Sequence, residues 1–120
     1  MRKGDRIPMV PPSASISNAI LEITKKGLGM TAVVTPDQKL LGIFTDGDLR
    51  RLIEQGLDLR GLMVSEVMNS APKCISADKL AVEAVRMMEV SHISQVVVTD
   101  ADNFIVGALN FHDLFEAKVV

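Results

Sequence analysis

Tryptophan and tyrosine are absent from these 120 residues, phenylalanine occurs four times and cysteine once. So few aromatic faces leave little platform for stacking bases. A net charge of −2 and a pI near 5.6 remove the basic footprint of a nucleic-acid binder. The single cysteine, Cys74, excludes an internal disulfide and fits a reducing, cytoplasmic setting. Apolar runs reach only a few residues, as in Val96-Val97-Val98, which excludes a membrane-spanning helix. The charged start Met1-Arg2-Lys3-Gly4-Asp5-Arg6 leads into no apolar stretch, so it is not a signal peptide. His92 and His112 with one cysteine are too few for a zinc site. No Ser-His-Asp, Cys-His or P-loop arrangement is visible. What remains is a chain that is 48% hydrophobic and 23% charged, enough for one folded domain or two small units sharing a core.

The chain repeats itself. An offset of 65 places Ala19 on Ala84, Val33 on Val98, Asp37 on Asp102, Gly42 on Gly107, Asp48 on Asp113 and Leu49 on Leu114. Apolar residues meet apolar residues between these pairs: Ile16 and Ala81, Ile20 and Val85, Ile23 and Met88, Leu28 and Ile93. This places two copies of one unit at 1–56 and 67–120, with a connector over 57–66. In each copy a proline-marked entry (Pro8-Met9-Val10, Pro72-Lys73-Cys74-Ile75) precedes a helix. Ser13 or Ser15 caps the first helix, whose stripe is Ile16, Ala19, Ile20 and Ile23, and Gly27 stops it. Asp78 starts its counterpart, with Ala81, Ala84, Val85 and Met88 as the stripe. Ala32-Val33-Val34 and Val96-Val97-Val98 predict strands, Pro36 to Lys39 and Ala101 to Asn103 predict turns, and Leu40 to Phe44 and Phe104 to Leu109 predict the returning strands. Further helices open near Asp48 and Asp113. The order is β-α-β-β-α twice, an α/β (α+β) fold closed by packing the copies about an approximate twofold axis.

The string Gly42-Ile43-Phe44-Thr45-Asp46-Gly47-Asp48-Leu49 carries the most chemistry. A strand ends, a hydroxyl appears, and a helix opens. Free N–H groups and a positive helix end suit a phosphate, and a carboxylate one turn on suits a ribose diol. The same residues also form a capping box, which stabilises a helix with no ligand at all. The second copy reads Gly107-Ala108-Leu109-Asn110-Phe111-His112-Asp113-Leu114, with Asn110 in place of the hydroxyl. Arg50 and Arg51 lie in the first turn of the helix, either as an anion clamp or as a solvated face. Lys73 enters the second-copy site by the same reasoning, and His112 sits beside its cap. Asp46/Asp48 and Asp100/Asp102 lack a third ligand and fit turn and cap duty better than a cation site. Cys74 reads as a small apolar residue, not a nucleophile.

Two units ending Gly-h-h-Thr-x-x-Asp-Leu (h apolar) resemble a tandem pair of CBS (cystathionine-β-synthase-type) domains. The resemblance implies a disc whose inter-repeat cleft binds adenosine-type or other nucleotides. It implies phosphate and ribose contacts at Thr45 and Asp48 and, with the Asn substitution, at Asn110 and Asp113. More weakly, it places Val10, Cys74, Met30-Thr31 and Ser94-Gln95 along a base pocket. Met1-Arg2-Lys3-Gly4-Asp5-x-Ile7-Pro8, Gly27 to Thr31, Gly42 to Arg51, Val67-Met68 and Phe111 to Leu114 are similar to the C-terminal CBS pair of D-arabinose 5-phosphate isomerases. In that family an N-terminal sugar-isomerase (SIS) domain interconverts ribulose 5-phosphate and arabinose 5-phosphate, a precursor of the lipopolysaccharide sugar Kdo. That domain has no counterpart among these residues, and Met1 reads as an interior residue of a longer parent.

The leading expectation is a non-catalytic regulatory module. It requires no cofactor, senses a nucleotide or nucleotide-sugar effector (CMP-Kdo or an adenine nucleotide), acts on an attached SIS domain and assembles as a homo-oligomer. Neither nucleic acid nor membrane is an expected partner. A ligand-free oligomerisation module is the alternative, and a chain that is itself catalytic has the least support.

Overall fold

The computed structural model describes residues 3–72, 74–76, 86 and 95–110. Of the two candidate caps, Ser15 opens the first helix: its Oγ accepts the Asn18 N–H at 3.0 Å. Helix α1 (Ile16–Lys26) buries Ile16, Ala19 and Ile23, one stripe of an amphipathic helix. It ends at Gly27, whose φ of 75° is left-handed and whose N–H returns to the Ile23 carbonyl.

Strands β1 (Met9–Val10), β2 (Met30–Val34) and β3 (Leu40–Thr45) form one sheet, with β1 parallel and β3 antiparallel to β2. Helix α2 (Asp46–Glu54) follows directly, which completes β-α-β-β-α. Strands β4 (Cys74–Ser76), β5 (Gln95–Thr99) and β6 (Ile105–Asn110) form a second sheet of the same topology. The 65-residue offset holds pair by pair. Met9↔Ala32 recurs as Cys74↔Val97, Met30↔Thr45 recurs as Gln95↔Asn110, and the bulge at Val33/Val34 recurs at Val98/Thr99. The helices expected from Asp78 and from Asp113 lie outside the described residues.

The two sheets share a core. Ile7, Leu28, Met30, Ala32, Val34 and Leu40 cluster with Val97, Ile105 and Ala108 from the second repeat. The tips of the two hairpins are tied by related bonds: Leu40 N–H to the Asn103 carbonyl and Ile105 N–H to the Gln38 carbonyl, both 3.0 Å. Gln38 and Asn103, the turn residues on either side, both have left-handed φ (72° and 69°). Lys39 and Phe104 bridge between them, with the ammonium 5.4 Å from the ring centroid. The other face of the first sheet carries Val10, Val33 and Phe44, which pack with Ala19 and Ile23 of α1 and with Val64. The connector is clamped to the first repeat. Val64 N–H donates to the Ala14 carbonyl (2.8 Å), and Asn69 exchanges two bonds with Ile43 on the outer edge of β3 (3.0 and 2.8 Å).

Strand β1 is only two residues long and is held by α1. Glu22 accepts the Met9 N–H at 3.0 Å and the Lys26 ammonium at 2.8 Å, and Lys26 also donates to the Ile7 carbonyl at 3.4 Å. Burial pushes the Glu22 carboxyl up, but the Lys26 ammonium and the Met9 N–H outweigh it, so its pKa lies below the ordinary glutamate value. A depressed folded pKa contributes stability that is present above the unfolded value, about 4.3, and is lost as pH falls through the folded one. Glu22→Gln is therefore expected to cost about 1–2 kcal/mol at pH 7 and to shrink the acid dependence of stability below about pH 5. Thermal unfolding of both chains from pH 7 to 3 checks this, and parallel acid limbs would remove Glu22 from the account.

Candidate functional site

Helix α2 begins where β3 ends, so Thr45 is both the last strand residue and the N-cap. Its Oγ1 accepts the Asp48 N–H at 3.0 Å, while Asp48 Oδ2 accepts the Thr45 N–H at 3.0 Å. This is the capping box legible in the sequence, and it fixes both groups without a ligand. Two capacities remain. The Thr45 hydroxyl proton is free of the capping bond, and the first-turn N–H groups lie at the positive end of the helix dipole. The second Asp48 oxygen is engaged by the Arg51 guanidinium. Asp48 is 17% exposed at its side chain and Arg51 64%.

The second repeat reaches this helix end through Gly29 and Gln95. Asp46 N–H donates to the Gly29 carbonyl at 3.0 Å. Gly29 has φ 75°, and a Cβ there would stand 2.8 Å from Gln95 Nε2 and 3.7 Å from Asp46 Oδ2. The start of α2, the start of β2 and the start of β5 thus converge. Thr45 pairs with Met30, and Gln95 pairs with Asn110. Four strand ends from both halves meet at one station.

Other candidates turn into the core or lie elsewhere. Met30 is fully buried in the shared core. Thr31 is also fully buried, pairs with Phe44 and donates its hydroxyl to the Ala32 carbonyl at 3.1 Å. Val10 packs with the helix-side cluster and borders a groove of about 340 Å³ lined by Met9, Pro11, Val34, Thr35, Pro36 and Gln38. That groove lies at the far end of β2 from Thr45. The residue matching Cys74 by register is Met9, which packs with Cys74 against the shared core, and the residue matching Ser94 is Gly29. Neither Met9 nor Gly29 is among the sequence-predicted site residues. The offset of 65, applied strictly, selects both. Along a strand a shift of one residue turns a side chain to the opposite face, so Met9 and Val10 face different clusters.

Cys74 is half-buried, burial pushes its thiol pKa up, and the Sγ donates to the Pro72 carbonyl at 3.5 Å. A thiol held protonated is a poor nucleophile. Arg50 is exposed on α2, and neither it nor Arg51 lies in the first turn as expected, because the Thr45 cap starts the helix at Asp46. Lys73, Ser94, His112 and Asp113 lie outside the described residues, and of Asn110 only the strand pairing is described.

The CBS-domain family model matches residues 1–55 and again 64–120. The chain belongs to the CBS family, as a tandem pair. Among curated proteins, this CBS pair is 47% identical over all 120 residues to arabinose 5-phosphate isomerase KdsD of Pseudomonas aeruginosa. It is 44% identical to KdsD of Escherichia coli K12. It spans only 37% and 36% of those two proteins. Among solved structures, CBSX2 of Arabidopsis thaliana superposes with a TM-score of 0.81 at 22% identity, over 99% of this chain and 90% of that one. The CBS domain protein PAE2072 of Pyrobaculum aerophilum, solved in complex with AMP, gives 0.79 at 25% identity, over 100% and 95%. Among the described residues, no helix of the CBS pair is long and apolar enough to cross a membrane.

Proposed function

We propose that the chain is the regulatory CBS pair of an arabinose 5-phosphate isomerase. It binds a nucleotide or nucleotide-sugar between its repeats and transmits occupancy to a fused sugar-isomerase domain. The observation that carries this reading is the convergence of the α2 N-terminus with Gly29 and, from the other repeat, Gln95. A ligand there touches both halves at once, so its binding energy depends on how the halves sit. Binding two arrangements unequally is the requirement for coupling, and a tenfold difference is worth about 1.4 kcal/mol.

The share of the KdsD relatives that the chain covers supports a parent with a further domain. PAE2072, a CBS protein complexed with AMP, supports a nucleotide as ligand. The phosphate would sit at the Thr45 end of α2, the ribose at Asp48, and the base toward Gln95 and Met9. A cytidylyl-Kdo conjugate has both a phosphate and a ribose, and also a sugar carboxylate for Arg50, Arg51 or Lys73.

Calorimetric titration with AMP and CMP tests the reading. Binding is expected for at least one, and Thr45→Val is expected to weaken it by about 1–3 kcal/mol through loss of the hydroxyl. Absence of heat at millimolar ligand would favour an assembly module instead. The exposed apolar side chains on the helices, Leu21 at 66% and Ile53 at 60%, are the observation behind that second reading.

A further inference from the structure

Arg51 and Asp48, three residues apart on α2, form an exposed ion pair at the helix start. Its Nη2 donates to Asp48 Oδ1, and its Nη1 lies 3.8 Å from the point where a Gly47 Cβ would stand. The guanidinium therefore lies across the first turn of α2, above the residue with no side chain to obstruct it. Asp48 Oδ2 is already committed to the Thr45 N–H. Each oxygen keeps a second lone pair, but a ligand hydroxyl that reaches Oδ1 must share it with the Arg51 guanidinium.

The 65-residue sequence offset sets which residues correspond between repeats. Counting 65 from Arg51 reaches Glu116, from Arg50 Phe115, and from Gly47 His112. In sequence, the position that matches Arg51 carries the opposite charge in the second repeat.

We infer that Arg51 is the charge-selecting residue of the first-repeat site. In the empty chain it is parked on Asp48. A phosphate at the α2 N-terminus draws the guanidinium off, and the freed carboxylate then accepts the ligand's hydroxyls. A neutral nucleoside offers nothing to draw the arginine away and must compete with it for Asp48. The exposed ion pair is weak, at most about fivefold in affinity, whereas a charge-assisted bond to phosphate is worth about tenfold or more. Exchange therefore favours anionic ligands. It also predicts one phosphate-bearing ligand per chain, held by the first repeat.

This inference rests on the nucleotide-site reading above, and the test separates the two. AMP, CMP, adenosine and cytidine are titrated calorimetrically into the 120-residue chain and its Arg51→Gln variant. Arg51 is largely solvent-exposed, so the variant is expected to fold, and its thermal melt verifies that. The unaltered chain is expected to prefer a nucleotide over its nucleoside by at least tenfold, at one ligand per chain. In Arg51→Gln the nucleotide is expected to bind at least tenfold more weakly and the nucleoside equally or up to about fivefold more tightly, so that the preference collapses. An unchanged nucleotide preference in the variant overturns the role of Arg51 and leaves the site standing. Two equal nucleotide sites per chain overturn the first-repeat assignment. No heat from any ligand with the unaltered chain overturns the site and this inference together.

Discussion

Val97→Asp is expected to destabilise both repeats as one unit, although the substitution lies in the second. Val97 is fully buried, and the cluster around it is built chiefly from first-repeat residues: Met30, Ala32, Val34 and Leu40. A carboxylate at that position has no cation in the cluster to pair with and must either lose its hydration or take up a proton, at a cost of about 4 kcal/mol. Domains of this size are stable by about 5–15 kcal/mol in total, so the loss removes about a quarter to four-fifths of the margin. Neither sheet can hide its inner face without the other. Amide spectra and far-UV melts of the variant are expected to show first-repeat and second-repeat signals lost in one transition. A first repeat that keeps its native spectrum would mean that the halves are separate folding units.

Gly42→Val is expected to destabilise the chain by about 3 kcal/mol, lowering the melting temperature by roughly 10 °C or more. The reason lies just past the connector, at Met68 and Asn69. A Cβ on Gly42 would meet the Asn69 carbonyl oxygen at 2.6 Å and the Met68 sulfur at 2.8 Å. The sulfur is the flexible end of a side chain, but the carbonyl belongs to the backbone that bridges Ile43. The chain must therefore give up the two bonds between Asn69 and Ile43, or shift β3 against β2. Gly47→Ala is the control. There a Cβ meets only Thr45 Oγ1 at 3.6 Å and Arg51 Nη1 at 3.8 Å, ordinary contacts, in a helix where alanine is favoured over glycine. Equal melting temperatures for Gly42→Val and the unaltered chain would show that Met68 and Asn69 are not docked on β3.

The repeat offset was legible in full, because buried strands must alternate and cannot slip by one residue without turning their faces. Every strand pairing in the first sheet recurs 65 residues on. The capping box at Thr45 and Asp48 was also legible, since its signal is local. The helix starts at Asp46, two residues before the Asp48 near which it was expected, because Thr45 caps it. The strand faces near the site were less legible. Pro8-Met9-Val10 is so short an entry that no alternation identifies its inward residue, and Met9, not Val10, turns to the second repeat. Gly29 escaped notice because its importance is long-range: it is small where Gln95 crosses it. The docking of Asn69 on Ile43 and the exchange between hairpin tips at Gln38 and Asn103 leave no periodic mark either, since each is made by residues distant in sequence.

The convergence of α2, β2 and β5 is tested most directly by following backbone amide resonances while AMP or CMP is added. The account predicts that the largest shifts fall on Gly29, on Thr45 through Asp48, and on Gln95, residues from both repeats that move together at one ligand concentration. Shifts confined to Val10, Val34, Thr35 and Gln38, the groove at the opposite end of β2, would contradict it.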